Sequence, residues 1–519
     1  MARERKSREE RRARRNRAGS ATGGAGSQAA PTRVPQLTYN LPRFEPSSPE
    51  NIQRIHDMSM RILSELGIAF YDDECCEILA SHGARVEEGS IVHFTEDLLM
   101  EYVSKAPSQY TQLARNPANN VIIGGNRSVF APVYGPPFVY DMDRGRREGT
   151  LEDFQNFVKL AYMSPYLHHS GGTVCEPNDE PVATRHLDMI YSHMKYSDKP
   201  FMGSVTEPWN AADSVTMCEI LFGKEVIREN PAMTSLINIS SPRRHDDRML
   251  GCIKVYAKAR QAMIITPFLM AGAMSPASIA GTLALQNAEA LSGIALAQMI
   301  EPGCPIVYGS FMTNLDLQSG ATVFGSPSSQ LTMLTVSQLA HRYNLPFRTG
   351  GTFSSSKLPD AQAGYESTQT MLPAVQGQTN FILHSAGWLE SGLASGYEKF
   401  VMDAELLGMY HYWANGIDYS DEAFAYDAFL EVEAGGHFLG TQHTMRHFRD
   451  AFHRPDTDVM DYKAFEQWEI DGSEDAIVRA NKKWKQMLAE YEAPPLDAAI
   501  DAELQTFMKD RKRELGFDV

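Results

Sequence analysis

The sequence predicts an α/β protein built on a (β/α)8 TIM barrel, with an N-terminal cap segment and a C-terminal helical extension. Three observations carry this reading. Eight short β-rich runs follow one another from residue 128, at intervals of roughly 30–40 residues, as strand–helix units do. Helical patterns with apolar groups at i, i+3 and i+4 fill the intervals. The runs lack strict apolar–polar alternation, as strands buried on both faces do. A doubly wound open sheet is the alternative, but no G-x-G-x-x-G turn follows the first run.

In order, the runs are SVFAPVYG (128–135), YLHHSGGT (166–173), PFMGSVTE (200–207), MTSLINIS (233–240), AMIITPFLMAG (262–272), PIVYGSFM (305–312), LPFRTGG (345–351) and NFILHSAGW (380–388). Helices are expected at 151–163, at 248–259 and over the Ala-rich stretch 275–300, where Ser275 reads as N-cap and Pro276 as N1. Ahead of the barrel, residues 36–127 form the cap, with an amphipathic helix at 50–68 and a hairpin around VIIGGN. The barrel spans 128–420 and the helical extension 421–519, both parts of one catalytic unit.

Bulk properties narrow the function. The 519 residues carry a net charge of −17 and 43% hydrophobic residues, ordinary for a large globular protein. Residues 1–17, MARERKSREERRARRNR, are strongly basic, and 18–33 are too poor in apolar groups to repay ordering. Residues 1–35 therefore read as a disordered tail that aids solubility or assembly, with nucleic acid or a membrane surface as the alternative. The acidic remainder disfavours nucleic acid as main partner, no run is long and apolar enough to span a bilayer, and no signal peptide follows the arginines. Six cysteines without a C-x-x-C pair fit a reduced, cytoplasmic protein.

In a barrel enzyme the chemistry sits at the C-terminal ends of the strands. Those ends are rich in aromatic and methionine residues and hold no paired carboxylates for glycosidic work. Such a rim suits a soft cation held on ring faces. Arg348, inside its strand, with His384 on the next, reads as a grip for a carboxylate or as one end of a structural salt bridge. Tyr134, Phe311, Trp388 and His169 complete the candidate substrate-binding set; no catalytic residue is named. Ser354 and Lys357 match S-x-x-K, but the S-D-N and K-T-G elements of the serine acyl-enzymes are missing, and no P-loop occurs. His437, His443, His447 and His453 cluster without an H-E-x-x-H glutamate, so no bound metal is expected.

The stretches GPPFVYDMDRGRREGTLEDF (135–154), GSPSSQLTMLTVSQLAHRYNLPFRTGG (325–351), SKLPDAQAGYES (356–367) and GGHFLGTQHTMRHFR (435–449) together resemble the trimethylamine methyltransferase family. The likeness runs from about residue 40 to 515. It implies a barrel enzyme that moves a methyl group from a methylated amine to the Co(I) of a corrinoid, a cobalamin-type cofactor, carried by a partner protein. No tightly bound cofactor of its own and a homo-oligomeric state are expected. Founding members carry pyrrolysine, whereas every position here is a standard residue. Members lacking it are similar to glycine betaine methyltransferases, which points to a quaternary amine such as glycine betaine or a related betaine. Alternatives are another methylated amine, a barrel lyase or hydrolase with His384 or His169 as base, and a non-catalytic betaine-binding protein.

Overall fold

The computed structural model describes residues 33–88, 90–455 and 459–517. The basic tail expected at 1–35 thus lies, up to residue 32, outside the described residues. Among the described residues no helix is long and apolar enough to cross a membrane.

Six strands pair in parallel, each with the next: Thr234–Ile239, Ala262–Ala271, Ile306–Gly309, Phe347–Gly350, Phe381–Leu383 and Arg127–Phe130. Both faces are buried. Val129, Leu236, Ile264, Val307, Phe381 and Leu383 meet in one inner cluster. Alternate residues Ile237, Met263, Ile265, Ile306, Tyr308 and Phe347 pack outward against helices. This two-sided burial is why the runs did not alternate in polarity.

The second and third expected runs, 166–173 and 200–207, form no ladder. Pro200 brings no N–H, and Gly171 sits at φ 93°, so regular pairing is interrupted. The backbone still connects across this interval. His168 and His169 N–H donate to Phe130 O (3.1 and 3.3 Å), Ser170 N–H to Pro200 O (2.8 Å), and Met202 N–H to Gly171 O (2.9 Å). Phe201 makes an isolated parallel bridge to Met233.

Leu151–Met163 forms the expected helix, closed at its start by a Thr150–Asp153 capping box. The long helix is Ile279–Ile300. Its N-cap is Ser278, not Ser275, because Ser278 Oγ accepts the Gly281 N–H while Ser275 Oγ is bonded to Thr282. Thr282 to Met299 are buried without a break, because the helix lies between the parallel strands and the N-terminal segment. Its polar residues are used there: Asn287 Nδ2 donates to Ser59 Oγ (2.9 Å) and to the Tyr343 hydroxyl (3.0 Å).

In the N-terminal segment Ser48 caps the Pro49–Arg61 helix, and Gln109–Gln112 pairs with Val121–Gly124 as an antiparallel ribbon. That ribbon joins the central sheet through Gly124 and Arg127. Past residue 420 the described residues form only short helices until Ala476–Ala489 and Ala498–Glu514.

Candidate active site

Two of the expected runs break where the site forms. The run 305–312 divides at Ser310 into Ile306–Gly309 and Phe311–Leu315, which pairs onward with Phe268–Ala271. The run 380–388 divides into Phe381–Leu383 and Trp388–Leu389 around a loop in which His384 takes φ 60°. A non-glycine residue in this left-handed region is uncommon and signals a conformation held by its surroundings.

Arg348 stands level with Gly309 and Phe381 on the neighbouring strands and is 1% exposed. Gly309 has no room for a side chain, since a Cβ would lie 1.9 Å from Thr266 Oγ1. The Arg348 guanidinium donates from Nη1 to Ser310 O (3.1 Å), its Nη2 lies 3.0 Å from His384 Nε2, and its Nε has no partner. No carboxylate pairs with it among the described residues, so the structural salt bridge is not formed. Burial pushes its pKa down to about 9, which still leaves it cationic at neutral pH.

His384 is equally buried. Its Nδ1 accepts the backbone N–H of Tyr134 at 3.2 Å. Burial first, and then the charge of Arg348, holds its pKa well below the usual histidine range. In the neutral ring the proton therefore belongs on Nε2, assigned from this hydrogen bond. Nε2–H then faces Nη2–H of Arg348, donor against donor.

An aromatic wall adjoins this pair. The Arg348 guanidinium carbon lies 5.5 Å from the Phe311 ring centre. Trp388 stands edge-on to His384 (4.5 Å), Phe353 (4.9 Å), Phe324 (5.2 Å) and Phe311 (5.9 Å). Gly350 is required here, because a Cβ would sit 1.7 Å from Phe353 Cζ.

Of the expected set, Arg348, His384, Phe311, Trp388 and the Tyr134 backbone come together. His169 does not join them. Its ring is edge-on to Phe381 at 5.2 Å, its Nδ1 accepts the Gly171 N–H, and burial holds it neutral. Ser354 and Lys357 are not paired either: Ser354 Oγ donates to Glu366 (2.8 Å), and Lys357 Nζ to Ser355 O.

Sequence reasoning missed Phe324, Phe353 and a buried ion pair beneath the loop. Lys399 Nζ contacts both Asp403 oxygens (2.6 and 2.5 Å). Asp403 Oδ2 also accepts Thr352 Oγ1–H and the Gly387 N–H, both at 2.9 Å. Thr352 N–H in turn donates to His384 O. The i, i+4 spacing of Lys399 and Asp403 was the available signal. Beside the aromatic wall, a cavity of about 230 Å³ opens between Ala271, Thr282, Met312, Asn314 and Ser329. None of the expected residues lines it, so the ring cluster rather than this cavity is taken as the site.

The family model of trimethylamine methyltransferase (MTTB) matches residues 7–516.

The chain belongs to the trimethylamine methyltransferase family.

Within that family it is 45% identical over 477 residues, 92% of its length and 99% of the relative's, to a glycine betaine methyltransferase of Desulfitobacterium hafniense (strain Y51). It is 30% identical over 403 residues, 76% of its length and 82% of the relative's, to the proline betaine:corrinoid methyltransferase of Eubacterium limosum. To a trimethylamine methyltransferase MttB of Desulfitobacterium hafniense (strain DSM 10664 / DCB-2) the identity is 29%, over 90% of this chain and 94% of that one. The solved monomethylamine methyltransferase of Methanosarcina barkeri covers 87% of this chain and 90% of its own, at a TM-score of 0.49 and 10% identity.

Proposed function

We propose that this chain transfers a methyl group from a quaternary amine bearing a carboxylate, glycine betaine or a close relative, to the Co(I) corrinoid of a partner protein. The observation that carries the reading is the donor-against-donor contact of Arg348 and His384. A buried guanidinium with a free Nε and no counter-ion, beside an imidazole N–H, lacks one thing, an acceptor carrying negative charge. A betaine carboxylate supplies it. The wall of Phe311, Phe353 and Trp388 then offers ring faces to the ammonium end.

The chemistry asks little more of the protein. The substrate nitrogen is already fully alkylated. When the Co(I) nucleophile forms its bond to the methyl carbon, the C–N bond breaks, the electron pair stays on nitrogen, and a neutral tertiary amine leaves. No proton has to move. Arg348 and His384 fix one end of the substrate, and the rings exclude water around the other. The names of the betaine-specific relatives support this substrate class over trimethylamine.

In this reading the six parallel strands and the two irregular segments at 166–173 and 200–207 make a closed (β/α)8 ring. Residues 36–127 cap it and 421–519 extend it. The protein binds the corrinoid only as its partner's cargo, holds no tight cofactor, and works in the cytoplasm.

A second copy of the chain covers the extension. Among the described residues between 417 and 470, fourteen large apolar side chains are exposed, with Tyr419, Tyr426, Leu430, Leu439, Phe452 and Ile470 at 70–81%. At about 100 Å² each they present on the order of 1,400 Å², more than a monomer usually leaves open. Two copies would bury about 2,800 Å², the range of an obligate homodimer.

The test is spectral. Purified protein, glycine betaine and cob(I)alamin or a cognate corrinoid protein should give the change from Co(I) to methyl-Co(III). No change across a panel of betaines and methylamines refutes the proposal.

A further inference from the structure

The histidines of residues 435–453 lack a neighbouring carboxylate in sequence, but the fold supplies one. Glu422, from the Asp421–Phe424 helix, lies 3.3 Å from His447 Nε2 through its Oε1. His443 and His447 are one turn apart on the Gln442–His447 helix, with ring centres 4.6 Å apart. One ligand atom from each of Glu422, His443 and His447 lies within 4.8 Å of the others. Ligand atoms around a tetrahedral zinc ion sit roughly 3.3–3.6 Å from one another. The Glu422–His447 edge already has this length, and the two edges to His443 are no longer than 4.8 Å.

We propose that Glu422, His443 and His447 form a site for a divalent transition-metal ion, zinc by its ligand set, with solvent in the fourth position. Two imidazoles are borderline donors, and with only one hard carboxylate beside them they disfavour calcium and magnesium. The surroundings fit a ligand role for His447. If Nε2 binds the metal, Nδ1–H points toward Asp450 Oδ1, 3.7 Å away, as the outer carboxylate of a metal-bound histidine does. Arg446 opposes the metal, since its Nη2 donates to Glu422 Oε1 at 3.1 Å. Binding must loosen that contact, which weakens the site without blocking it. The metal would join the 421–424 helix to the 442–447 helix and pin the apolar segment between them. This inference stands apart from the methyl-transfer reading, because no residue is shared.

Full-length protein, stripped by chelator, is titrated calorimetrically with Zn²⁺ and followed by visible absorption with Co²⁺. One ion per chain and a tetrahedral Co²⁺ spectrum are expected. Glu422→Gln should weaken binding about 10-fold and the double variant H443Q/H447Q about 100-fold or more. Arg446→Ala should tighten it. No zinc binding below about 1 mM, or equal binding by the wild type and the double variant, would overturn the proposal.

Discussion

Arg348 Nη2 and His384 Nε2 lie 3.0 Å apart inside the sheet, and in the tautomer assigned from the Tyr134 N–H bond to Nδ1 both carry a hydrogen. A charge-assisted bond to a carboxylate contributes roughly 1.5–3 kcal/mol, so Arg348→Ala should lower kcat/KM for glycine betaine about 10- to 150-fold. Arg348→Lys should recover only part, because the planar fork is lost. Tetramethylammonium, which has no carboxylate, should lose far less. Equal losses for both substrates in folded protein would make Arg348 structural.

The Lys399–Asp403 pair should separate stability from positioning. Asp403→Ala leaves a buried ammonium unpaired and should cost about 3–5 kcal/mol in urea unfolding. The double variant K399M/D403L should regain most of that stability. Turnover should stay low, because Thr352 and Gly387 lose the acceptor that holds the His384 loop. Recovery of both together would deny Asp403 a positioning role.

Acid should destabilise the protein through its buried histidines before its exposed carboxylates titrate. Burial holds His168, His169 and His384 well below the ordinary 6.5, and His193, His245, His341 and His411 at about 4. Between pH 6.5 and 4 the unfolded chain therefore binds more protons at these seven sites. Stability therefore decreases as the pH is lowered through this window. Glu176, Glu180, Glu289 and Asp403, raised chiefly by burial, act in the opposite sense but are fewer. The urea midpoint should drop clearly from pH 7 to pH 5; a flat profile would contradict these assignments.

The exposed side chains of residues 417–470 should disappear into an assembly. Sedimentation should show a dimer or larger species, and Leu439→Glu with Phe452→Glu should shift it toward monomer. A wild-type monomer at micromolar concentration would leave this face without the proposed occupant.

Periodicity exposed Leu151–Met163 because that helix presents an apolar stripe, and its bounds follow directly from Thr150 and Ser164. It exposed six parallel strands through their β-branched runs. It could not show that 166–173 and 200–207 lack ladders, since Pro200 and Gly171 act through hydrogen bonds to other segments. Arg348 and His384 were legible because a cation within an apolar strand is conspicuous. Phe324 and Phe353 were not, because their contact with Trp388 depends on loop paths that no spacing encodes. Glu422 escaped notice for the same reason, being far from His443 and His447 along the chain.

The helix Ile279–Ile300, buried from Thr282 to Met299, belongs to two layers at once. One side faces the parallel strands, while Asn287 and Ser59 bond across the other. Without the N-terminal segment one whole side of that helix would be bared to water, although a helix with an open face needs polar residues there. Engineering that exchanges the N-terminal segment between relatives therefore has to carry residues 279–300 with it.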